Sequence, residues 1–290
     1  MKIHFMVTIC FLALNSFCQQ PGQLNKELVT IDTAALDLRA FAENIIGSET
    51  DDYEKARKLL YWLSSNFEWK STDYKTRTVK EIIARNGGNC FELAKVYIAL
   101  IKNAGIMYRS MCEINIHPVT PARQATAASM VKEKGNTYSV FGLQHNDHRW
   151  VEIFDKKNNT WQPADPSMGV IGLNDWLRAR VWFGERKTID TAITNKMIVP
   201  FAIFVTGISN APEESRTSHY LIDSFNELYD GKLKNLPAWN DWVLAVNSLT
   251  AVSMHAFLGK ENLHTHQQEI NKLALVYDQL KRSYAATYEP

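Results

Sequence analysis

Cys90 lies in Asn89-Cys-Phe-Glu-Leu-Ala94, directly after Gly87-Gly88, where a long apolar helical pattern begins. A thiol at a helix N-terminus faces unpaired backbone N–H groups and the positive end of the helix dipole, which favour the thiolate. Further along stand His148-Arg-Trp-Val-Glu152 and Trp161-Gln-Pro-Ala-Asp165-Pro166. A cysteine, a histidine and an aspartate in this order are the parts of a thiol acyl-transfer site. A free thiol titrates near ~8.5, so only a few per cent is ionised at neutral pH. An imidazole beside it takes the proton, and a carboxylate on the second ring nitrogen fixes the tautomer and stabilises the imidazolium. The thiolate then attacks an amide carbonyl. The imidazolium protonates the leaving amine, and water or a second amine resolves the thioester. The Cys90 backbone N–H is the natural first oxyanion donor, with Trp69 or a neighbour as a candidate for the second.

The elements that must hold these groups can be read from spacing. Residues 24–47 form a helical pattern closed by Gly47, and a second helix runs through Tyr53–Ser65 with Ala56, Leu59, Leu60 and Leu63 on one face. Residues 66–69 are a short extended segment, and Thr78–Arg85 is a short helix broken by Gly87-Gly88. The helix Cys90–Asn103 stops before Gly105 and is apolar almost all round, with Lys95 and Lys102 as the expected exposed exceptions. A helix of that kind is central and buried. Strands follow at 106–116, His148–Phe154 and Thr160–Ala164. Residues 117–145 between them read as a polar excursion, and Asp155–Asn159 has hairpin-turn composition. Pairing His148 with Asp165 would centre that turn between Lys156 and Lys157, so the two side chains are expected side by side at the open end of one hairpin. Met197–Val205 reads as a buried strand despite Pro200, and Ser209–Arg216 as a loop. Helices are expected over Thr217–Tyr229, Pro237–Leu258 and Glu261–Ala286.

The whole chain sets outer bounds. Its 290 residues, 46% hydrophobic and 22% charged, suffice for a large core. A formal net charge of +1 points away from nucleic acid or an anionic membrane surface as partner. Residues 1–18 read as a secretory signal: Lys2, an apolar run from Ile3 to Leu14, then small residues before Gln19-Gln20. The run is too short to span a bilayer. An exported protein, periplasmic or secreted, is therefore expected, with no membrane insertion. A lipid anchor through Cys18 is the weaker reading, because bulky Phe17 stands where a small residue is wanted. After removal of the signal only Cys90 and Cys112 remain, and a disulfide between them is the bland alternative for Cys90.

Gly88-Asn-Cys-Phe-Glu-Leu-Ala94, Asn103-Ala-Gly-Ile106, His148-Arg-Trp-Val-Glu-Ile153 and Trp161-Gln-Pro-Ala-Asp-Pro166 resemble the core of the transglutaminase-like superfamily. That group includes transglutaminases, bacterial proteases and peptide N-glycanases on a papain-related α+β fold. The resemblance runs from Tyr53 to Gly172, in separated blocks in the right order. It implies Cys90 as nucleophile, His148 as base, Asp165 as orienting acid, and Trp69 as the aromatic residue that helps hold the oxyanion. Two departures stand out. The stretch between Cys90 and His148 holds an unusually long excursion, and the helical C-terminal part matches nothing in the family core.

The expected architecture is α+β, a papain/transglutaminase-like core in which a Cys-bearing buried helix packs against an antiparallel sheet, with a helical C-terminal extension. Residues 1–18 are the signal, 19–190 the catalytic core and 191–290 the mostly helical extension packed on it. The expected activity is thiol-dependent acyl transfer from peptide or side-chain amides, hydrolytic in outcome, on a peptide or protein substrate. No cofactor is expected, and oligomeric state is not encoded legibly. A binding module that kept the fold without turnover is the alternative. A metal-dependent hydrolase built from His145, Asp147 and His148, with His117 or Cys112, fits no firm zinc spacing. Trp150, Phe154 and Trp161 read as hairpin packing, and Glu152 as a solvated or salt-bridged strand residue.

Overall fold

The first helical pattern ends where a positive-φ glycine is needed. Helix α1 (Leu38–Ile46) is capped by the Asp37 carboxylate and stopped by Gly47 at φ 64°. The computed structural model describes residues 36–70, 73, 75–116, 129, 147–186, 198–207, 212–258 and 260–289. The expected signal at 1–18, the first half of the expected first helix and nearly all of the 117–145 excursion lie outside these residues. Helix α2 (Asp52–Asn66) starts from an Asp51 cap and buries Ala56, Leu59, Leu60 and Leu63, the face its spacing announced. A two-residue strand β1 (Glu68–Trp69), helix α3 (Val79–Arg85) and a second short strand β2 (Gly87–Gly88) lead into α4 (Cys90–Asn103). The bounds of α4 are those the sequence predicts.

A six-stranded antiparallel sheet forms the frame. Its strands are β3 (Tyr108–Asn115), β4 (Asp147–Asp155), β5 (Thr160–Asp165), β6 (Val170–Ile171), β7 (Pro200–Thr206) and β8 (Pro212–Ser215), in the order β6-β5-β4-β3-β7-β8. Pro200 is the first residue of β7, a place where its missing N–H is tolerated. Helix α5 (Leu173–Arg180) follows β6. The C-terminal part runs through a π-helical turn (His219–Asp223) into α6 (Ser224–Leu228), then α7 (Trp239–Phe257) and α8 (Gln267–Tyr288).

Alternation along β4 divides the core in two. Val151 and Ile153 join α1, α2 and α4 in one apolar cluster. Trp150, one step along, belongs to a second cluster with Trp176, Phe201, Phe225 and Trp242, built from β3, β7, α5 and the helices after β7. The Trp150 ring meets Trp176 at 5.0 Å and Tyr220 at 5.5 Å, and Phe154 meets its cross-strand partner Trp161 at 5.1 Å. These aromatics are packing residues, as expected.

Several expectations need correction. Asp155 pairs with Thr160, so the hairpin turn is centred between Lys157 and Asn158, one residue later than the direct pairing of His148 with Asp165 requires. Asn159 adopts a left-handed φ of 51°, which lets the longer turn close. The resulting two-residue shift preserves parity, so the two side chains stay on one face as diagonal neighbours. Residues 212–215, within the expected loop, form the edge strand β8, whose exposed Glu213, Glu214 and Ser215 gave no apolar alternation to read. Phe91 is 50% exposed, whereas Lys95 is half-buried and donates to the Arg77 carbonyl at 2.5 Å. Of the two readings of Glu152 the salt-bridged one holds: it is fully buried and bonds Arg109, Arg216 at 3.3 Å and the Tyr220 hydroxyl at 2.5 Å.

Candidate active site

Asn89 is the N-cap of α4, which makes Cys90 the first helical residue. The Asn89 side chain accepts from the Glu92 N–H at 3.0 Å, and the Glu92 carboxylate accepts from the Asn89 N–H at 3.2 Å. This reciprocal box satisfies two first-turn donors, and its signature, Asn89-x-x-Glu92, is legible in the chain. Glu92 is also buried between Arg77 at 2.7 Å and Arg85 at 3.2 Å, and Arg77 bonds Asp73 at 2.5 Å. The helix start is thereby tied to α3 and the segment before it. The Cys90 N–H, as an N1 amide, has no intrahelical acceptor and is available to a developing oxyanion.

The two glycines before Cys90 have a steric cause. β2 runs parallel to β1 with Trp69 opposite Gly88. A Cβ on Gly87 would lie 2.2 Å from the Glu68 carbonyl oxygen, and one on Gly88 would lie 2.6 Å from Glu92 Cβ. Only glycine permits this approach. Trp69 is thus held, half-buried, on the strand beside the residues that lead into Cys90.

On the sheet, the ladder between β4 and β5 ends at Val151 and Ala164, three residues short of His148. Across the gap His148 Nε2 meets Asp165 Oδ2 at 2.6 Å, and both residues are buried. Asp165 Oδ1 accepts from the Ser167 N–H at 3.0 Å, the Ser167 hydroxyl at 2.7 Å and the Met168 N–H at 3.3 Å. With Nε2 donating to the carboxylate, Nδ1 is the ring nitrogen left for the hydrogen bond between His148 and Cys90. Burial on its own would lower the His148 pKa, but the Asp165 carboxylate and the Cys90 sulfur outweigh it and hold it well above the ordinary imidazole value. Burial likewise opposes ionisation of Asp165, yet His148, then the charge of Arg180 and the Ser167 hydroxyl, keep it below the usual carboxylate range. An imidazolium between a carboxylate and a sulfur is the charge state this arrangement favours.

His148 therefore stands between Asp165 and Cys90, and Trp69 borders the Cys90 helix start. Neither Cys90 nor Cys112 forms a disulfide, and Cys112 is buried in β3. Among the described residues no three of His, Cys, Asp and Glu gather as metal ligands; His117 and His145 lie outside them. No helix among the described residues is long and apolar enough to cross a membrane. Ser167, Met168, Arg180 and Glu113 escaped the sequence reading. The first two were discoverable from Asp165-Pro-Ser167, a side-chain turn composition.

Comparison with known proteins bears on the segment that carries this geometry. Residues 39–166 match the family model described as the transglutaminase-like superfamily, a span that holds Cys90, His148 and Asp165. The match supports that superfamily for this chain. No curated protein matches it. Among solved structures, a proposed cysteine protease from Cytophaga hutchinsonii is similar at 17% identity and TM-score 0.32, over 47% of this chain and 45% of that one. A proposed protease from Parabacteroides distasonis is similar at 12% identity and TM-score 0.31, over 44% of this chain and 22% of that one. Rad4–Rad23 bound to a 6-4 photoproduct UV lesion is similar at 10% identity and TM-score 0.36, over 86% of this chain and 55% of that one. The chain thus spans less than two thirds of each of these structures.

Proposed function

We propose that this protein is a cysteine-dependent enzyme that cleaves peptide or side-chain amides through a thioester on Cys90. The observation that carries the reading is the His148 ring, bonded through Nε2 to Asp165 at 2.6 Å and on its other side to the Cys90 sulfur. The Cys90 thiolate attacks the carbonyl, the Cys90 N–H receives the oxyanion with Trp69 as its neighbour, and His148 delivers its proton to the leaving amine. Asp165 orients the ring and stabilises its charge. Deacylation by water then returns the carboxylic acid, with His148 now removing the proton from the attacking water. Water is the default acceptor, so hydrolysis is the proposed outcome and transfer to an amine the variant of it. The superfamily match supports a thiol enzyme at this coarse level. The leader composition of residues 1–18 supports an exported setting.

The test is turnover of a peptide library by wild type and Cys90→Ala, with mass spectrometry of products in the presence of a free amine. Cleavage that disappears in Cys90→Ala and yields free acids is the expected result. Amine conjugates would mark transfer. Undiminished cleavage by Cys90→Ala would remove the proposal.

A further inference from the structure

Arg180, the last residue of α5, is 1% exposed and lies beyond the segment matched by the family model. Its guanidinium bonds in two directions. Nη2 donates to the Glu113 carboxylate and to Asn115 Oδ1 at 2.6 Å, while Nη1 donates to Met168 Sδ at 3.4 Å. Met168 is also a residue whose backbone N–H grips Asp165, and Glu113 is the cross-strand partner of His148. Glu113 further accepts from the Trp150 indole at 2.8 Å. Arg180 Nε has no hydrogen-bond partner among the described residues. Burial of charge is expensive, and well-packed apolar side chains of like volume usually stabilise as much or more. A buried guanidinium bonded to the turn that grips Asp165 has a use that apolar packing lacks.

We propose that Arg180 is a positioning residue of the site: it pins the turn that grips Asp165 and sets a positive charge behind that carboxylate. The acid thereby stays anionic and aimed at His148. The inference rests on the function proposed above for Cys90, His148 and Asp165. The groups that face Asp165 are His148 from β4, Ser167 and Met168 from its own turn, and Arg180 from α5. Glu113 and Asn115 of β3 lie on the far side of Arg180, and Arg186 reaches the Arg180 carbonyl at 2.5 Å. The charge of Arg180 is among the influences that keep Asp165 ionised against its burial.

The test follows the Asp165 carboxyl by carbon-13 NMR across the pH range in which the full chain stays folded. Wild type is compared with Glu113→Gln/Arg180→Met, which removes both buried charges together and leaves neither orphaned, and with Arg180→Lys. In the double variant the Asp165 midpoint is expected to rise by about one unit or more, a tenfold change in the ionisation equilibrium, with kcat lowered and KM held. In Arg180→Lys the carboxyl is expected to titrate near wild type, because the charge remains, while kcat falls severalfold because the fork that ties the turn to β3 is lost. An unmoved midpoint in the folded double variant would overturn the proposal. If that variant does not fold, wild-type kcat in Arg180→Lys would do the same. Turnover that persists in Cys90→Ala would strike the functional reading instead, since the Asp165 titration does not depend on it.

Discussion

At the scale of single residues, the site is a chain of three side chains joined by two contacts, and its charge depends on pH in a definite sense. Asp165 is held below its ordinary value, so its contribution to stability is present above about 4 and is lost as pH falls through its lowered pKa. His148 is held above its ordinary value, so its contribution is complete below about 6.5 and is lost as pH rises through its raised pKa. The stability gap between wild type and Asp165→Asn should therefore be widest between those limits, at about 2 kcal/mol for a charge-assisted hydrogen bond. Urea unfolding at a series of pH values measures it; a gap that is flat across the range would contradict the assignment. The same substitution should lower kcat by about three to four orders of magnitude through the wrong imidazole tautomer, as in serine triads, with KM little changed. Near-normal turnover in Asp165→Asn would take that residue out of the mechanism. Iodoacetamide should alkylate Cys90 well ahead of buried Cys112 and lose that preference in His148→Ala, as read by peptide mass spectrometry. Cys90, His148 and Asp165 were legible as a candidate set because cysteine, histidine and a buried-strand aspartate are rare types in distinctive neighbourhoods. Glu113 and Arg180 were not, because charged side chains in strands and helices read as solvated until their partners are known.

At the scale of elements, the helix that carries the thiol is fixed at its first turn by polar bonds and along its length by apolar burial. Loss of the cap in Asn89→Ala should cost about 1 kcal/mol and slow Cys90 alkylation, because the N-terminal amides that aim at the sulfur lose their anchor. Denaturant unfolding and labelling rates check the two effects separately; unchanged labelling would show that the cap serves stability alone. The sequence predicts α4 to the residue, since glycine breakers bracket an uninterrupted apolar run. It misses α5, an eight-residue helix too short for a clear period, with Trp176, Leu177 and Ala179 as its buried apolar residues and buried Arg180 at its end. It also reads Thr217–Tyr229 as one regular helix, whereas a π-helical turn at His219–Asp223 opens it. That turn delivers the Tyr220 hydroxyl to Glu152. Such irregularity answers to tertiary contacts and leaves no periodic trace.

At the scale of the whole molecule, the part beyond the family match is woven into the frame that holds His148. β7 pairs along β3, which pairs along β4, and α7 packs on β7. A chain ended at residue 190 would strip β3 of a neighbour and uncover Phe201, Ile203 and Phe204 contacts. Such a fragment is expected to be insoluble or unfolded, by circular dichroism and size-exclusion chromatography; a monomeric, active fragment would make 19–190 a self-sufficient core. Glu152→Ala should cost about 3–5 kcal/mol, because it leaves Arg109 and Arg216 facing each other without their shared carboxylate. The two margins of the sheet carry a different consequence. β6 is two residues long, and β8 begins with a proline and turns Glu213, Glu214 and Ser215 outward. Short, charged borders discourage another strand from docking there. A polypeptide visitor thus finds little welcome as an added ribbon, and copies of the protein gain a safeguard against stacking into fibres when crowded.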